Sequence, residues 1–452
     1  KGMNRHDTDA KTGYAVDREH IIRDLRLMKQ NNINAIRTSH YQNSPLVIEL
    51  CNEYGFYVMS EADYETHGIA SYRGKKAPVP EGAVPQSGDG YRYYCPIFND
   101  DPQYEIIGMD RICKNVKRDK NQPSVIFWSL GNESGWGRIQ EISAKWIKEY
   151  DPTRLIHYES LFPAFGRKPD YSVLDVLSCM YASTNWIQEK YGDLEGFDGT
   201  AEICAHADPY TDQYYKKNMK YMPFLQCEYI HAMGNSSGDA EDYFALMEKY
   251  ERFAGGFVWE WADHAKYIGD DRYGQPMYQY GGDSGEYPTD GNFCMDGMND
   301  PARRPHSSLK EYKNVLRPVR AEWIEENKSV RLKNMLNIQN LQGAIKICYE
   351  LSQNGSVIKN GEIETPNCAP GECARIVLPF QVPKEGECYL RLIYKQKRNT
   401  VAVPADFELG FDQLKIKATV QNKPVMFQEK VAVERLTVQE YDSLYVFNGR
   451  TE

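Results

Sequence analysis

Val125-Ile126-Phe127-Trp128-Ser129-Leu130-Gly131-Asn132-Glu133 opens on an apolar run and closes on polar groups. It is too short for a helix and too apolar for a strand with one wet face. Phe224-Leu225-Gln226-Cys227-Glu228-Tyr229-Ile230-His231 repeats the design. Runs of this kind are what a parallel sheet covered on both faces demands. Working outward, the same reading selects Asn34–His40, Phe56–Asp63, Leu155–Ser160, Leu174–Ser183 and Gly255–His264, and Gly2–His6 completes the set. Helical stretches lie between them. Ile21, Ile22, Leu25 and Met28 recur at helical spacing behind Asp17, and Leu46, Leu50, Cys51 and Tyr54 do so behind a Ser44-Pro45 start, with Gly55 as the stop. Ile139, Ile142, Trp146, Ile147 and Tyr150 mark another. Alternation of this kind predicts an α/β fold, a closed (β/α)8 TIM barrel over residues 1–317. An open doubly wound sheet competes, but no glycine-rich phosphate turn follows the first strand.

Two stretches lack periodicity: Gly68–Asp101, a long rim loop after the third strand, and Tyr267–Arg304, an irregular glycine-rich segment after the eighth. The pattern changes near Arg317-Pro318. Alternating runs at Val330–Ile338, Ala344–Leu351 and Tyr389–Tyr394, with an Asn354-Gly355 turn, predict an immunoglobulin-like antiparallel β-sandwich over 318–413. Residues 414–452, with a strand pattern at Val431–Glu440, read as a linker and the start of a further domain. The opening Lys1-Gly2-Met3 carries no signal-peptide pattern, so the chain reads as a piece of a longer protein. The compartment stays open, with a lean to cytoplasm and the periplasm as alternative.

A net charge of −10 without a basic run argues against nucleic acid or an anionic membrane as partner. No apolar stretch reaches membrane-spanning length. The eleven cysteines are scattered singly, which favours buried free thiols over disulfides or a tetrahedral zinc site.

In such a barrel, chemistry sits at the C-terminal strand ends. Polar residues collect there: Asn4-Arg5-His6, Arg37-Thr38-Ser39-His40, Glu61, Asp63, Glu65 and His67, Asn132-Glu133-Ser134, Tyr181, Glu228 to His231, and Trp259-Glu260-Trp261. Glu133 and Glu228 end the fourth and seventh strands, which face each other across the barrel. A carboxyl pair is what glycoside hydrolysis needs: one gives a proton to the leaving oxygen, the other attacks or stabilises the anomeric carbon. The plainer alternative makes both glutamates buried ion-pair partners of Arg5 and Arg37. The 33 tyrosines and seven tryptophans suit stacking on sugars, although Trp128 and Trp146 read as core.

These motifs resemble those of family 2 glycoside hydrolases. The resemblance runs in order through Asn4-Arg5-His6, Arg37-Thr38-Ser39-His40-Tyr41, Glu65-Thr66-His67-Gly68 and Gly131-Asn132-Glu133-Ser134-Gly135. It continues through Cys227–Asn235, Gly255-Gly256-Phe257-Val258-Trp259 and Tyr280-Gly281-Gly282-Asp283, and covers residues 1 to about 317. The last three groups are similar to the β-galactosidase branch. The resemblance implies a retaining enzyme that cleaves terminal β-D-galactosyl residues, with Glu133 as acid/base and Glu228 as nucleophile. β-Glucuronidase and β-mannosidase remain alternatives within the family, as does a non-catalytic carbohydrate-binding barrel outside it. The implied substrate-binding set is His6, Arg37, His40, Asn132, Tyr181, His231, Trp259 and Asp296. Within it, Asn132 binds the sugar 2-hydroxyl, Arg37 and Tyr181 hydrogen-bond the nucleophile, and Trp259 floors the site. Glu65, His67 and Glu133 match a magnesium site that could also take manganese.

A family sodium site is doubtful, because Asp296 stands where relatives carry asparagine, in a loop matching Phe293–Asp296. The resemblance also implies further domains on both sides of this chain. The expectation is therefore a barrel that folds but hydrolyses galactosides poorly alone, with homo-oligomer formation open.

Overall fold

A computed structural model describes residues 1–69, 95–163, 167–194, 209–416, 437–441 and 444–448. Most of the Gly68–Asp101 loop and of the 414–452 tail therefore lies outside the described residues. The parallel strands are β1 (Gly2–Asn4), β2 (Ala35–Arg37), β3 (Tyr57–Glu61), β4 (Val125–Ser129), β5 (Leu155–His157), β6 (Leu177–Met180), β7 (Phe224–Tyr229) and β8 (Phe253–Val258). They form one 8-stranded sheet in the order β5-β4-β3-β2-β1-β8-β7-β6, with β1 paired in parallel to both β2 and β8. Every residue of β7 is buried, as a strand covered on both faces must be.

The barrel is nearly closed rather than closed. No ladder joins β5 to β6 among the described residues. Asp175 spans the seam instead: the Ile156 N–H donates to its carboxylate at 2.9 Å, and its own N–H donates to the Ile156 carbonyl at 3.2 Å.

The helices are α1 (Arg18–Gln30), α2 (Pro45–Tyr54), α3 (Pro102–Asp119), α4 (Arg138–Tyr150), α5 (Thr184–Tyr191), α6 (Pro209–Asn218), α7 (Ala240–Lys249) and α8 (Ser307–Val315). The expected alternation misses one step, since no helix follows β5 among the described residues. There the chain packs through side chains, with the Tyr171 hydroxyl donating to the Leu161 carbonyl at 2.8 Å and its ring edge-on to Trp136. Asp17 caps α1 by accepting the His20 N–H at 2.8 Å, and Ile21, Leu25 and Met28 form its buried face. Helix α2 starts at Pro45 and stops at Gly55 in the left-handed region as expected, but the Ser44 side chain makes no capping bond. The Ser44 N–H is instead taken by Asp7 at 2.6 Å, which ties the helix start to the end of β1. Trp128 is wholly buried as expected, whereas Trp146 is only half-buried and stacks on Tyr150.

The stretch after β8 is not wholly irregular. β9 (Lys266–Asp270) and β10 (Pro276–Gln279) form a hairpin whose turn closes on Asp271, which accepts the Tyr273 and Gln275 N–H groups. Such turn chemistry is local and leaves no apolar period to read.

Beyond the barrel lie a 3-stranded antiparallel sheet of β11 (Val319–Ile324), β12 (Ser329–Asn334) and β15 (Cys373–Val377), and a 4-stranded one. The latter runs β14 (Ser356–Ile363), β13 (Ile345–Gln353), β16 (Cys388–Gln396), β17 (Glu408–Ile416). Asn354 and Gly355 both have positive φ, at 49° and 85°, as a tight hairpin turn between β13 and β14 requires. A separate hairpin, β18 (Thr437–Tyr441) with β19 (Leu444–Asn448), occupies part of the tail. All the described cysteines are free thiols, and no helix among the described residues is long and apolar enough to cross a membrane.

Candidate active site

The polar strand ends meet around Arg37, at the end of β2. Its side chain is wholly buried, so all five guanidinium N–H groups must find acceptors inside the protein. They do. Nε donates to Glu61 Oε2 at 2.7 Å and Nη2 to Glu61 Oε1 at 3.0 Å. Nη1 donates to Glu228 Oε1 at 2.7 Å and Asn4 Oδ1 at 3.1 Å, and Nη2 also donates to Asn132 Oδ1 at 2.9 Å. One cation thus connects the ends of β1, β2, β3, β4 and β7.

Glu228 is buried and accepts on its other oxygen from the Tyr181 hydroxyl at 2.7 Å. Burial pushes its carboxyl above the usual range; Arg37 and His40 pull it down, and Glu133 pushes it up. The two glutamates singled out from the sequence therefore feel each other's charge. His40 lies on Glu61 through Nδ1 at 2.7 Å, with Nε2 3.7 Å from Glu228. Burial and Arg37 oppose its protonation, but Glu61 and Glu65 win and raise it to about 9. Burial would raise Glu61, yet Arg37 and His40 hold it at about 2. Near neutral pH Arg37 and a protonated His40 thus face the Glu61 carboxylate, with the Glu228 carboxyl beside them.

Glu133 follows β4 in a strained turn. Gly131 has φ 138°, and a Cβ there would lie 2.2 Å from the Tyr64 carbonyl oxygen, so only glycine fits. Glu133 itself has φ 42°, and Tyr181 beyond β6 has φ 52°. Left-handed conformations at non-glycine residues are costly and gather where side-chain aim matters. Beside Glu133, His67 Nδ1 sits 2.9 Å from its Oε2. Glu65, His67 and Glu133 each offer one ligand atom, and these atoms lie within 4.8 Å of one another.

The far wall is aromatic. Trp259 stacks on the His40 ring at 5.0 Å and 8°, and the His6 ring meets its edge at 5.5 Å. Its indole N–H donates to Asp296 at 2.8 Å. Burial and Glu260 raise the Asp296 carboxyl to about 8, so it carries a proton near neutrality. His231 lies 5.6 Å from the Tyr181 ring and 3.7 Å from Asp296, and burial lowers its pKa against the pull of Glu260.

Residues 1–321 match the profile described as glycosyl hydrolases family 2, TIM barrel domain. The chain belongs to glycosyl hydrolase family 2. Residues 330–417 match a second profile, β-galactosidase domain 4. A β-galactosidase of Actinobacillus pleuropneumoniae is 41% identical over 100% of this chain and 42% of its own length. One from Staphylococcus xylosus is 37% identical over 92% of this chain and 38% of its own. The chain thus spans about two fifths of these curated relatives. A β-glycosidase structure from Bacteroides vulgatus aligns with a TM-score of 0.45 at 17% identity, covering 98% of this chain and 51% of that one.

Within this family 2 site, Arg37, placed in the substrate-binding set and expected to hydrogen-bond the Glu228 carboxyl, makes that bond. With no exposed surface it holds carboxylates in place rather than facing the cleft. Asp296 is likewise buried, against the Trp259 indole. Arg5 pairs with Asp7 and Asp24 rather than with either glutamate, so the ion-pair alternative fails for Arg5 and holds only for Arg37 with Glu228. Four further groups join the cluster beyond the candidate site residues: Asn4, Glu61 and Glu260, read only as polar strand-end residues, and Glu159, not named at all. Glu260 accepts from His6 Nδ1 at 2.7 Å and lies 3.3 Å from His264 Nε2. Glu159 accepts the Glu133 N–H at 2.8 Å, and burial first, with Glu133 adding to it, raises its carboxyl to about 8. The signal for these was a lone carboxylate or amide closing an apolar run.

Proposed function

We propose that the protein carrying this chain is a retaining β-D-galactosidase in which Glu228 is the nucleophile and Glu133 the acid/base. The observation that carries this reading is the asymmetry of the two glutamates. Glu228 is buried, with both oxygens taken by Arg37 and Tyr181; the Glu133 side chain is 22% exposed at the end of the opposed strand. A nucleophile must stay ionised and fixed, and a proton donor must reach the leaving group.

In the first step a Glu228 oxygen bonds to the anomeric carbon as the glycosidic C–O bond breaks, and Glu133 transfers its proton to the departing oxygen. In the second, Glu133 takes a proton from water as the water oxygen bonds to the anomeric carbon and Glu228 leaves, so configuration is retained. Asn132, held by Arg37, and His6, His40, His231, Tyr181 and Trp259 would line the sugar. The galactose assignment rests on the β-galactosidase relatives and on the Cys227–Asn235 run. Assaying the full-length protein on nitrophenyl β-galactoside, β-glucuronide and β-mannoside tests it. A glucuronide or mannoside preference would overturn it.

Two carboxylates and one imidazole fit a hard divalent cation, and Glu65, His67 and Glu133 would hold Mg²⁺ or Mn²⁺. When bound, the ion would supply a fixed positive charge favouring ionised Glu133. Glu65→Gln should weaken Mg²⁺ affinity at least about tenfold by titration calorimetry; unchanged affinity would remove Glu65 from the ligand set. Sodium is not part of the reading, since a protonated Asp296 gives a cation little to hold.

His40 sets a pH limit. Its pKa is raised from 6.5 to about 9, so its ion pairing is complete below about 6.5 and lost as pH rises through about 9. Both kcat/KM and stability should fall across that alkaline window. His40→Gln should remove that limb; an unmoved limb would assign it to another group.

A further inference from the structure

We propose that Glu159 is a positioning residue for proton transfer, fixing the backbone of Glu133 so that its carboxyl meets the leaving-group oxygen. The inference rests on the acid/base assignment above and adds a residue to it.

The segment that follows β4 is laid onto the end of β5 by successive bonds. The Leu130 N–H donates to the His157 carbonyl at 3.1 Å, the Glu133 N–H to Glu159 Oε1 at 2.8 Å, and the Ser134 N–H to the Tyr158 hydroxyl at 3.1 Å. The first is an ordinary ladder bond. At Glu133 the ladder has ended: β4 stops at Ser129, and Glu133 lies beyond it with φ 42°. A side chain from the neighbouring strand end must accept it. Glu159 is 5% exposed, and the Ser160 hydroxyl lies 2.7 and 2.6 Å from its two oxygens, so the acceptor is itself held. On the other side, the Asn132 N–H donates to the Tyr64 carbonyl at 2.9 Å. Glu133 is therefore pinned between the ends of β3 and β5, in a conformation an unconstrained glutamate would leave. Of these supports, the Glu159 carboxyl is the one that addresses Glu133 itself. A carboxyl suits the task because one oxygen can serve Glu133 while both face Ser160; glutamine keeps an acceptor oxygen and alanine keeps none.

The test uses the full-length protein and reads leaving-group dependence. kcat/KM is measured on dinitrophenyl β-galactoside, whose leaving group needs no proton, and on methyl β-galactoside, whose leaving group does. Active sites are counted with a 2-deoxy-2-fluorogalactosyl inactivator, so that misfolded protein drops out. Glu159→Ala should lower the methyl-to-dinitrophenyl ratio of kcat/KM about 30-fold, within the range expected when a general acid is misplaced. Glu159→Gln should restore most of it. Should Glu159→Ala fail to fold, Ser160→Ala, which frees the carboxyl, should lower the same ratio several-fold. Equal losses on both substrates, or an unchanged ratio, would overturn the proposal. Glu133→Ala is measured alongside: if it too leaves the ratio unchanged, the acid/base assignment falls; if only the Glu159 and Ser160 variants do, this inference alone falls.

Discussion

Glu228→Gln in the full-length protein should lower kcat/KM by about 10⁴ or more on every galactoside, activated or not. Glutamine fills the same space and still accepts from Arg37, but its neutral amide is a poor nucleophile for the anomeric carbon. The loss comes before any leaving-group question, so dinitrophenyl and alkyl galactosides should suffer alike. Glu133→Ala should behave differently. An activated aryl leaving group needs little protonation, so its first step survives, and added azide should rescue the second, which lacks its general base. Stopped assays on both variants with and without azide check this. The reverse pattern would exchange the two roles.

Arg37→Ala should cost on the order of 3–5 kcal/mol of barrel stability, the usual penalty for removing one partner of a buried ion pair. Glu61 and Glu228 would be left as two buried acids without their shared cation, and Asn4 and Asn132 would each lose a donor. Arg37→Lys should recover little, because one ammonium with three donors cannot replace a planar fork feeding five bonds. The check is chemical denaturation followed by barrel fluorescence, with Trp128 and Trp259 as reporters. A midpoint unchanged from the parent would mean that the network on Arg37 contributes little.

Much of this fold was legible because its signals are local. Val125–Glu133 and Phe224–His231 read as doubly covered strands from composition alone, and each became a barrel strand with its glutamate at or just beyond the strand end. Asp17, Pro45, Gly55 and Asn354-Gly355 carry their conformations in their own chemistry. What resisted depends on register between distant strands. Glu61, Asn4 and Glu159 acquire their roles only when the barrel brings them onto Arg37 and Glu133, residues far away in sequence. The same is true of Arg37, whose bonds to Glu61, Asn4 and Asn132 form only in the folded barrel. The seam at β5 and β6 was hidden because Tyr171 and Asp175 replace a helix and a ladder with side-chain bonds, which leave no period in the sequence. Ser44 fits a cap by residue type, but Asp7 satisfies its N–H from elsewhere in the fold.

The central claim is a covalent galactosyl intermediate on Glu228. Incubating the full-length protein with 2-deoxy-2-fluorogalactosyl fluoride slows the second step more than the first, so the intermediate accumulates and can be digested and mapped by mass spectrometry. The account predicts stoichiometric labelling confined to the peptide containing Glu228, with loss of activity in step with labelling. A label on Glu133 or on any other carboxylate, or turnover by inversion with no label at all, would contradict it.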